Sequence, residues 1–173
     1  WNGEVTMQNS TARIWIDWRL QVPMLALAVW LGALSPHAQD APAGVPVERY
    51  DAVLDTSVRD GLVYYRALKS ARGPLDAYVA SLADGRVSDL PRDAQLAFWI
   101  NAYNAVVLQS VVTNYPIAGR APEYPSSSLR QVRGAFDAVT HRLGGRSLTL
   151  DQVEQTVLPA FHDPRAFLAL GRG

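Results

Sequence analysis

The segment between Pro91 and Asn114 constrains the fold more than any other part of the chain. Its core, QLAFWINAYNAVVLQSVV, carries no charge. Its apolar residues would surround a helix on nearly every side instead of forming one stripe. Pro91 suits the first turn of a helix, and Asn114-Tyr115-Pro116 is a C-terminal stop signal. The sequence therefore predicts a central buried helix around which the rest of the chain packs.

Short elements are predicted on both sides of this helix. Amphipathic spacing predicts helices over residues 47–58 and from Gly73 to about Leu82. Gly144-Gly145 predicts the turn of a hairpin between 138–143 and 146–148. We therefore expect an α+β fold, mainly helical, with the central helix packed on a small antiparallel sheet.

Two further signals follow the hairpin. Thr149 with Gln152 three residues later is a capping box that opens a helix through Val157 and Leu158. Residues 166–170 form an apolar run of strand length, after which the chain has no partner strand. We therefore expect the domain to be incomplete at its C-terminus.

The N-terminal segment has the pattern of a secretory signal. Residues 22–34 carry no charge, and Arg13 and Arg19 precede them. Thirteen apolar residues are fewer than the roughly 20 that span a bilayer, and the open alternative is a buried core helix. We expect a leader with signal peptide over 1–38, a linker over 39–46 and a single domain over 47–173. The protein is then secreted or periplasmic and meets the membrane only during export.

Composition excludes several classes of function. Sixteen basic and sixteen acidic residues give zero formal net charge, so no overall field favours nucleic acid. The absence of cysteine excludes disulfides, thiolate catalysis and cysteine metal sites. Neither His141 nor His162 has a second ligand at metal spacing, and both are expected to be surface or loop-anchoring groups. We expect no metal and no cofactor. Fifteen of the sixteen basic residues are arginine, which with abundant alanine suggests a bacterial origin.

The predicted central helix contains unusual polar residues. Asn101, Tyr103 and Asn104 interrupt its apolar sequence, and the two asparagines share one face. Their side chains either form a satisfied internal network or present hydrogen-bond donors to a ligand. Arg165, after Asp163-Pro164, either contacts a carboxylate ligand or pairs with an acid such as Glu154.

A local excess of arginine lies between Pro116 and Thr149. Five arginines are accompanied there by only two acids, Glu123 and Asp137. This excess favours an anionic ligand or, as the plainer alternative, a solvated face.

Three stretches resemble the domain-of-unknown-function family 547. They are AFWINAYNA at 97–105, GRSLTLDQVE at 145–154 and Asp163-Pro164-Arg165. The resemblance also takes in the upstream turn at residues 60–64, and so covers nearly everything from about Tyr50 to the C-terminus. The activity of that family has not been assigned, so the resemblance implies no reaction. It implies a set of recurring polar positions, which are our candidate site residues: Asn101, Tyr103, Asn104, Glu154 and Arg165.

The chain departs from many members of that family at its end. They carry cysteines just after the strand that matches residues 167–170, whereas this chain has Leu170-Gly171-Arg172-Gly173. The difference weighs against a thiol-dependent activity.

Two functional hypotheses follow. The first is an uncharacterised exported domain that acts as a non-catalytic binding or interaction module for a small molecule, a peptide or a protein. The alternative is a hydrolase or acyl transferase of distant papain- or transglutaminase-like architecture, acting on a peptide-like substrate. That enzyme would use Glu154, His141 or Tyr103 as its acid or base.

Overall fold

The structure is a computed structural model that describes residues 46–172. Its regular helices are α1 (Val47–Ser57), α2 (Tyr65–Ser70), α3 (Gly73–Ser81), α4 (Arg92–Asn114) and α5 (Leu150–Gln152). Its strands are β1 (Val58–Arg59), β2 (Leu62–Val63), β3 (His141–Leu143) and β4 (Arg146–Leu148). Shorter 3-10 turns cover Val87–Asp89, Leu129–Gln131, Leu158–Phe161 and Pro164–Ala169, and a π-type turn covers Val153–Val157. The predicted leader and all but the last residue of the predicted linker lie outside the described residues.

Helix α4 is the centre of the fold. Ten of its residues are buried, and Ala102, Tyr103 and Val106 are completely inaccessible. It packs against α2, α3 and the turns that follow α5. Among the described helices, α4 alone is long and apolar enough to cross a bilayer, a property that soluble core helices share. The predicted central buried helix is confirmed.

The elements before α4 form a small helical layer. Helix α1 packs on α3, where the Tyr50 and Tyr78 rings stack with centroids 4.9 Å apart and planes 7° from parallel. Strands β1 and β2 pair antiparallel across Asp60-Gly61, whose φ angles of 51° and 76° suit a two-residue hairpin turn. The sequence predicts a turn at Asp60-Gly61 and a short extended piece over 62–65. The sequence predicts neither the pairing of β1 with β2 nor the helix α2.

The second hairpin matches its prediction. Strands β3 and β4 pair antiparallel, and Gly144 and Gly145 have φ angles of 56° and 74°. The turn is fixed to the end of α3, since the Gly144 amide donates to the Leu82 carbonyl at 2.8 Å. The two short antiparallel pairs and the dominant helices confirm a mainly helical α+β fold.

The capping box at α5 is also confirmed. The Gln152 amide donates to the Thr149 hydroxyl oxygen at 3.1 Å, and the Thr149 amide donates to the Gln152 side chain at 2.9 Å. The helix then widens into the π-type turn, which contains Glu154, and tightens into the 3-10 turn that contains Pro159. Because proline has no amide hydrogen, a regular helical ladder cannot run through that position.

The prediction of a strand over 166–170 is wrong. Pro164–Ala169 is a 3-10 helix, and the Asp163 carboxylate caps it by accepting the Arg165 amide at 3.0 Å. A short apolar run does not by itself distinguish strand from helix, and the Asp-Pro start favours a helical turn. No strand in residues 46–172 is left without a partner there.

Candidate functional site

Two of the predicted site residues meet in the core. The Tyr103 hydroxyl on α4 donates to Glu154 Oε2 at 3.1 Å. Arg172 Nη2 donates to the other carboxylate oxygen, Oε1, at 2.5 Å. The Glu154 side chain is 17% exposed, so this carboxylate is largely buried with both oxygens occupied. We call Tyr103, Glu154 and Arg172 the Glu154 cluster.

The protonation states in the Glu154 cluster follow from its contacts. Burial alone raises the pKa of Glu154, but hydrogen bonds from Arg172 and Tyr103 and the charge of Arg130 outweigh it and hold the pKa below its usual value. Burial, together with the Glu154 charge, raises the pKa of Tyr103 well above its usual value. Glu154 is therefore ionised and Tyr103 protonated at neutral pH, and neither exchanges a proton there.

Asn104 fixes the C-terminal segment to α4. Its side-chain amide donates to the Ala169 carbonyl at 2.9 Å, and its side-chain oxygen accepts the Gly171 amide at 2.8 Å. These two hydrogen bonds hold residues 169–171 against α4, and Arg172 then lies beside Glu154. Asn104 thus holds loop backbone, one of the two roles that the sequence left open for it.

Asn101 behaves differently from Asn104. It is half-buried on the same helix, yet its side chain makes no hydrogen bond to any residue in the range 46–172. A shared helix face therefore does not give the two asparagines a shared role.

Arg165 lies apart from the Glu154 cluster. Its Nε and Nη2 atoms donate to the Asp163 carboxylate at 2.9 and 2.7 Å, and its side chain is 84% exposed. These hydrogen bonds lower the pKa of Asp163 to about 2. Arg165 therefore pairs with an acid, one of the two roles that the sequence left open, but the acid is Asp163 two residues away and not Glu154, which pairs with Arg172. The sequence singled out the segment around Arg172 only for its lack of cysteine, and no local motif marks that arginine.

A polar pocket contains Arg130, whose charge acts on the Glu154 cluster. It has a volume of about 230 Å³, and we call it the Arg130 pocket. Its charged and aromatic lining residues are Tyr124, Arg130, Arg133, Phe136, Asp137 and Asp151. Arg130 connects it to the Glu154 cluster, since its charge acts on both Glu154 and Tyr103.

Arg130 is held by aromatic rings and not by an acid. Its guanidinium carbon lies 4.6 Å from the Phe136 ring centroid and 5.9 Å from that of Tyr124. Within residues 46–172 it forms no salt bridge. Stacking leaves the N–H groups at the edge of the guanidinium plane available to an acceptor such as a carboxylate.

The histidines divide between two environments. His162 is exposed, as the sequence predicts, in a left-handed turn with φ of 51°. His141 is half-buried, its Nε2 atom is buried without a hydrogen-bond partner, and burial lowers its pKa. It lines a separate pocket of about 310 Å³ beside Ser110. Among the described residues no three His, Cys, Asp or Glu side chains come together as a metal site.

Comparison with known proteins yields one family. Residues 87–170 match a family model described as "Protein of unknown function, DUF547". No curated protein and no solved structure matches the chain. The matched span contains α4, the β3–β4 hairpin, Arg130, Glu154 and the Asp163–Arg165 pair, whereas Arg172 lies just beyond it. The segment that builds most of the candidate site is thus similar to the DUF547 family.

Proposed function

We propose that this protein is an exported, non-catalytic binding module that holds one or two residues of a polar, peptide-like ligand in the Arg130 pocket. The observation that carries the proposal is the Arg130 guanidinium, stacked on Phe136 and without a salt bridge in the described chain. A cation fixed in this way loses little side-chain entropy when it binds a carboxylate in a bidentate manner.

The rest of the pocket lining supports a ligand with both signs of charge. Arg133 adds a second cation, while Asp137 and Asp151 add two carboxylates. A zwitterionic amino acid or dipeptide offers both complements, namely a carboxylate for the arginines and an ammonium group for the aspartates. The volume of about 230 Å³ lies below the roughly 300–1,000 Å³ of typical small-molecule sites, which suits one or two residues.

The Glu154 cluster supports a binding role over an acid–base role. A general base must accept a proton near the working pH. Glu154 has a lowered pKa and two occupied oxygens, and Tyr103 is buried with a raised pKa. The alternative hydrolase or acyl transferase is left with His141, whose Nε2 is buried and which lines a different pocket.

The proposal of export rests on the sequence of the leader. The uncharged residues 22–34 after Arg13 and Arg19 support a signal peptide, and secretion or a periplasmic location would follow.

The binding proposal is tested by titrating the protein with the zwitterionic dipeptide Ala-Ala and following backbone amide shifts by NMR. We expect saturable shifts at Arg130, Gly134 and Asp151. The blocked peptide N-acetyl-Ala-Ala-amide, which lacks both charges, should bind at least about tenfold more weakly.

Two arginine variants make the test specific. Arg130→Gln should weaken binding by about tenfold or more, because a neutral amide loses the charge-assisted bidentate contact. Arg142→Gln is the matched control, since Arg142 is exposed, lies outside the pocket lining and forms no ion pair with the described residues. Equal binding by the Arg130→Gln protein, or hydrolysis of the dipeptide by the wild type, would contradict the proposal. Arg133→Gln provides a second pocket variant if Arg130→Gln fails to fold.

A further inference from the structure

A second pocket lies outside the segment that matches the family. It has a volume of about 460 Å³ and is lined by β2, by α2 and by the residue that follows α4. Three of its seven lining residues are tyrosines, namely Tyr64, Tyr65 and Tyr115, and we call it the tyrosine pocket. Apart from Tyr115, its lining residues precede residue 87, where the family match begins.

The tyrosine rings form an accessible aromatic surface. Tyr65 and Tyr115 are stacked, with centroids 5.9 Å apart and planes at 24°. Tyr64 is 55% exposed, and Leu62, two residues earlier and outside the lining, is 70% exposed. Contiguous patches of exposed apolar side chains are characteristic of binding surfaces. A flat ring that stacks on these faces would bury apolar area in a preferred aromatic geometry.

The three tyrosine hydroxyls of this pocket are also free of partners among the described residues. None of the three phenol hydroxyls forms a hydrogen bond with any residue of the described range 46–172. Burial raises the pKa of Tyr65, so its hydroxyl stays protonated at neutral pH and is a hydrogen-bond donor. The pocket therefore combines aromatic faces with unoccupied donors.

The charge of the pocket lining indicates the charge of the ligand. Arg66 is the charged residue of the lining, and it has no salt bridge within residues 46–172. Lys69, one turn along α2, donates to the Tyr115 carbonyl and adds a second cation nearby. No carboxylate lines the pocket in the described part of the chain. A ligand anion is the missing complement of Arg66.

We infer that the tyrosine pocket binds a small aromatic carboxylate, with its ring against the tyrosines and its carboxylate on Arg66. The volume of about 460 Å³ falls within the roughly 300–1,000 Å³ of small-molecule sites, and such sites combine an apolar lining with a few convergent polar groups. This site is independent of the Arg130 pocket, because the two share no lining residue.

The probe for this site is benzoate, titrated into the protein while tyrosine ring and backbone resonances are followed by NMR. We expect saturable shifts at Tyr64, Arg66 and Tyr115 with benzoate. Benzamide keeps the ring and loses the charge, and acetate keeps the charge and loses the ring. Each should bind at least about tenfold more weakly than benzoate.

Matched variants separate the site from general anion binding. Arg66→Gln should weaken benzoate binding by about tenfold or more, and Tyr64→Leu should weaken it because the variant lacks an aromatic face at this exposed position. Arg86→Gln, an exposed arginine outside the lining, should bind benzoate as the wild type does. Arg130→Gln should also leave it unchanged, which distinguishes this site from the Arg130 pocket.

Three results would overturn the inference. The first is an absence of saturable shifts at the tyrosines with benzoate. The second is equal benzoate affinity in the Arg66→Gln and Arg86→Gln proteins. The third is a blocked Phe-Asp peptide that binds the same residues about tenfold more tightly than benzoate, which would make the ligand a peptide instead of a small molecule.

Discussion

Glu154 shows at the level of single residues what a sequence reveals and what it hides. The family resemblance places Tyr103 and Glu154 among the same candidate residues, and the structure joins them at 3.1 Å although they are 51 positions apart. The partner Arg172 was not predictable, because its contact depends on how Asn104 directs the chain after the last 3-10 helix. Arg165 does pair with an acid, but the sequence does not show which one, and the structure gives it Asp163, two residues away, instead of Glu154.

Replacing Glu154 by Gln should lower the free energy of unfolding by about 1 kcal/mol. The amide keeps an acceptor for Tyr103 but no longer neutralises Arg172, and a hydrogen bond to a charged group is typically stronger than one between neutral groups. Urea unfolding measures the difference. Glu123→Gln is the control, since Glu123 is exposed and forms no ion pair with the described residues. Identical unfolding midpoints for the two variants would mean that the Glu154 cluster does not stabilise the fold.

His141 should make stability depend on pH. Because burial lowers its pKa below the ordinary 6.5, the unfolded chain takes up a proton before the folded protein does. The contribution of His141 is therefore fully present above pH 6.5 and is lost as the pH falls from there towards the folded pKa. Unfolding free energies measured between about pH 7.5 and 5 should fall more steeply for the wild type than for His141→Leu. His162→Asn, at an exposed left-handed position, should keep the wild-type slope. Parallel slopes for the wild type and His141→Leu would exclude this role.

At the level of elements, prediction succeeded where a local signal was specific. The capping box at Thr149 and the glycine pair of the second hairpin both form as predicted, because each demands a particular backbone geometry within a few residues. The helix α2 and the 3-10 helix Pro164–Ala169 are segments of only six residues, too short to show a distinguishing period, so packing decides their conformation.

The β3–β4 turn gives a prediction with an internal control. Gly144 and Gly145 both have positive φ, so alanine is strained at either position. A Cβ atom on Gly144 would also lie 2.8 Å from the buried Val87 side chain, whereas one on Gly145 meets nothing within 4 Å. Gly144→Ala should therefore destabilise the protein more than Gly145→Ala, which should cost about 1 kcal/mol. Thermal unfolding of the two variants shows which one is less stable. Equal losses of stability would mean that the Val87 side chain moves away from the added Cβ atom without an energetic cost.

At the level of the whole molecule, one segment accounts for most of the correct prediction. The uncharged apolar sequence from 95 to 112 had to be buried, and the α+β class follows from packing short elements around it. The two pockets were not predictable in this way. Each brings together residues from separate elements, and only the excess of arginine after Pro116 hinted at the Arg130 pocket.

The proposed export concerns the whole chain and is tested apart from binding. Residues 1–46 fused to alkaline phosphatase, which is active only after export from the bacterial cytoplasm, should give enzyme activity in intact cells. Replacing Leu27 and Leu31 by Asp within the apolar stretch should abolish that activity, because two charges disrupt the hydrophobic region of a signal peptide. Equal activity of the two fusions would contradict the export proposal.

The most direct test of the central claim is to locate the dipeptide on the protein. Intermolecular NOEs measured with saturating Ala-Ala should connect its methyl protons to the Tyr124 and Phe136 rings, which flank Arg130. These contacts should disappear in Arg130→Gln and persist in Arg142→Gln. NOEs to other surfaces of the protein, or none at saturation, would show that the Arg130 pocket is not a peptide-binding site.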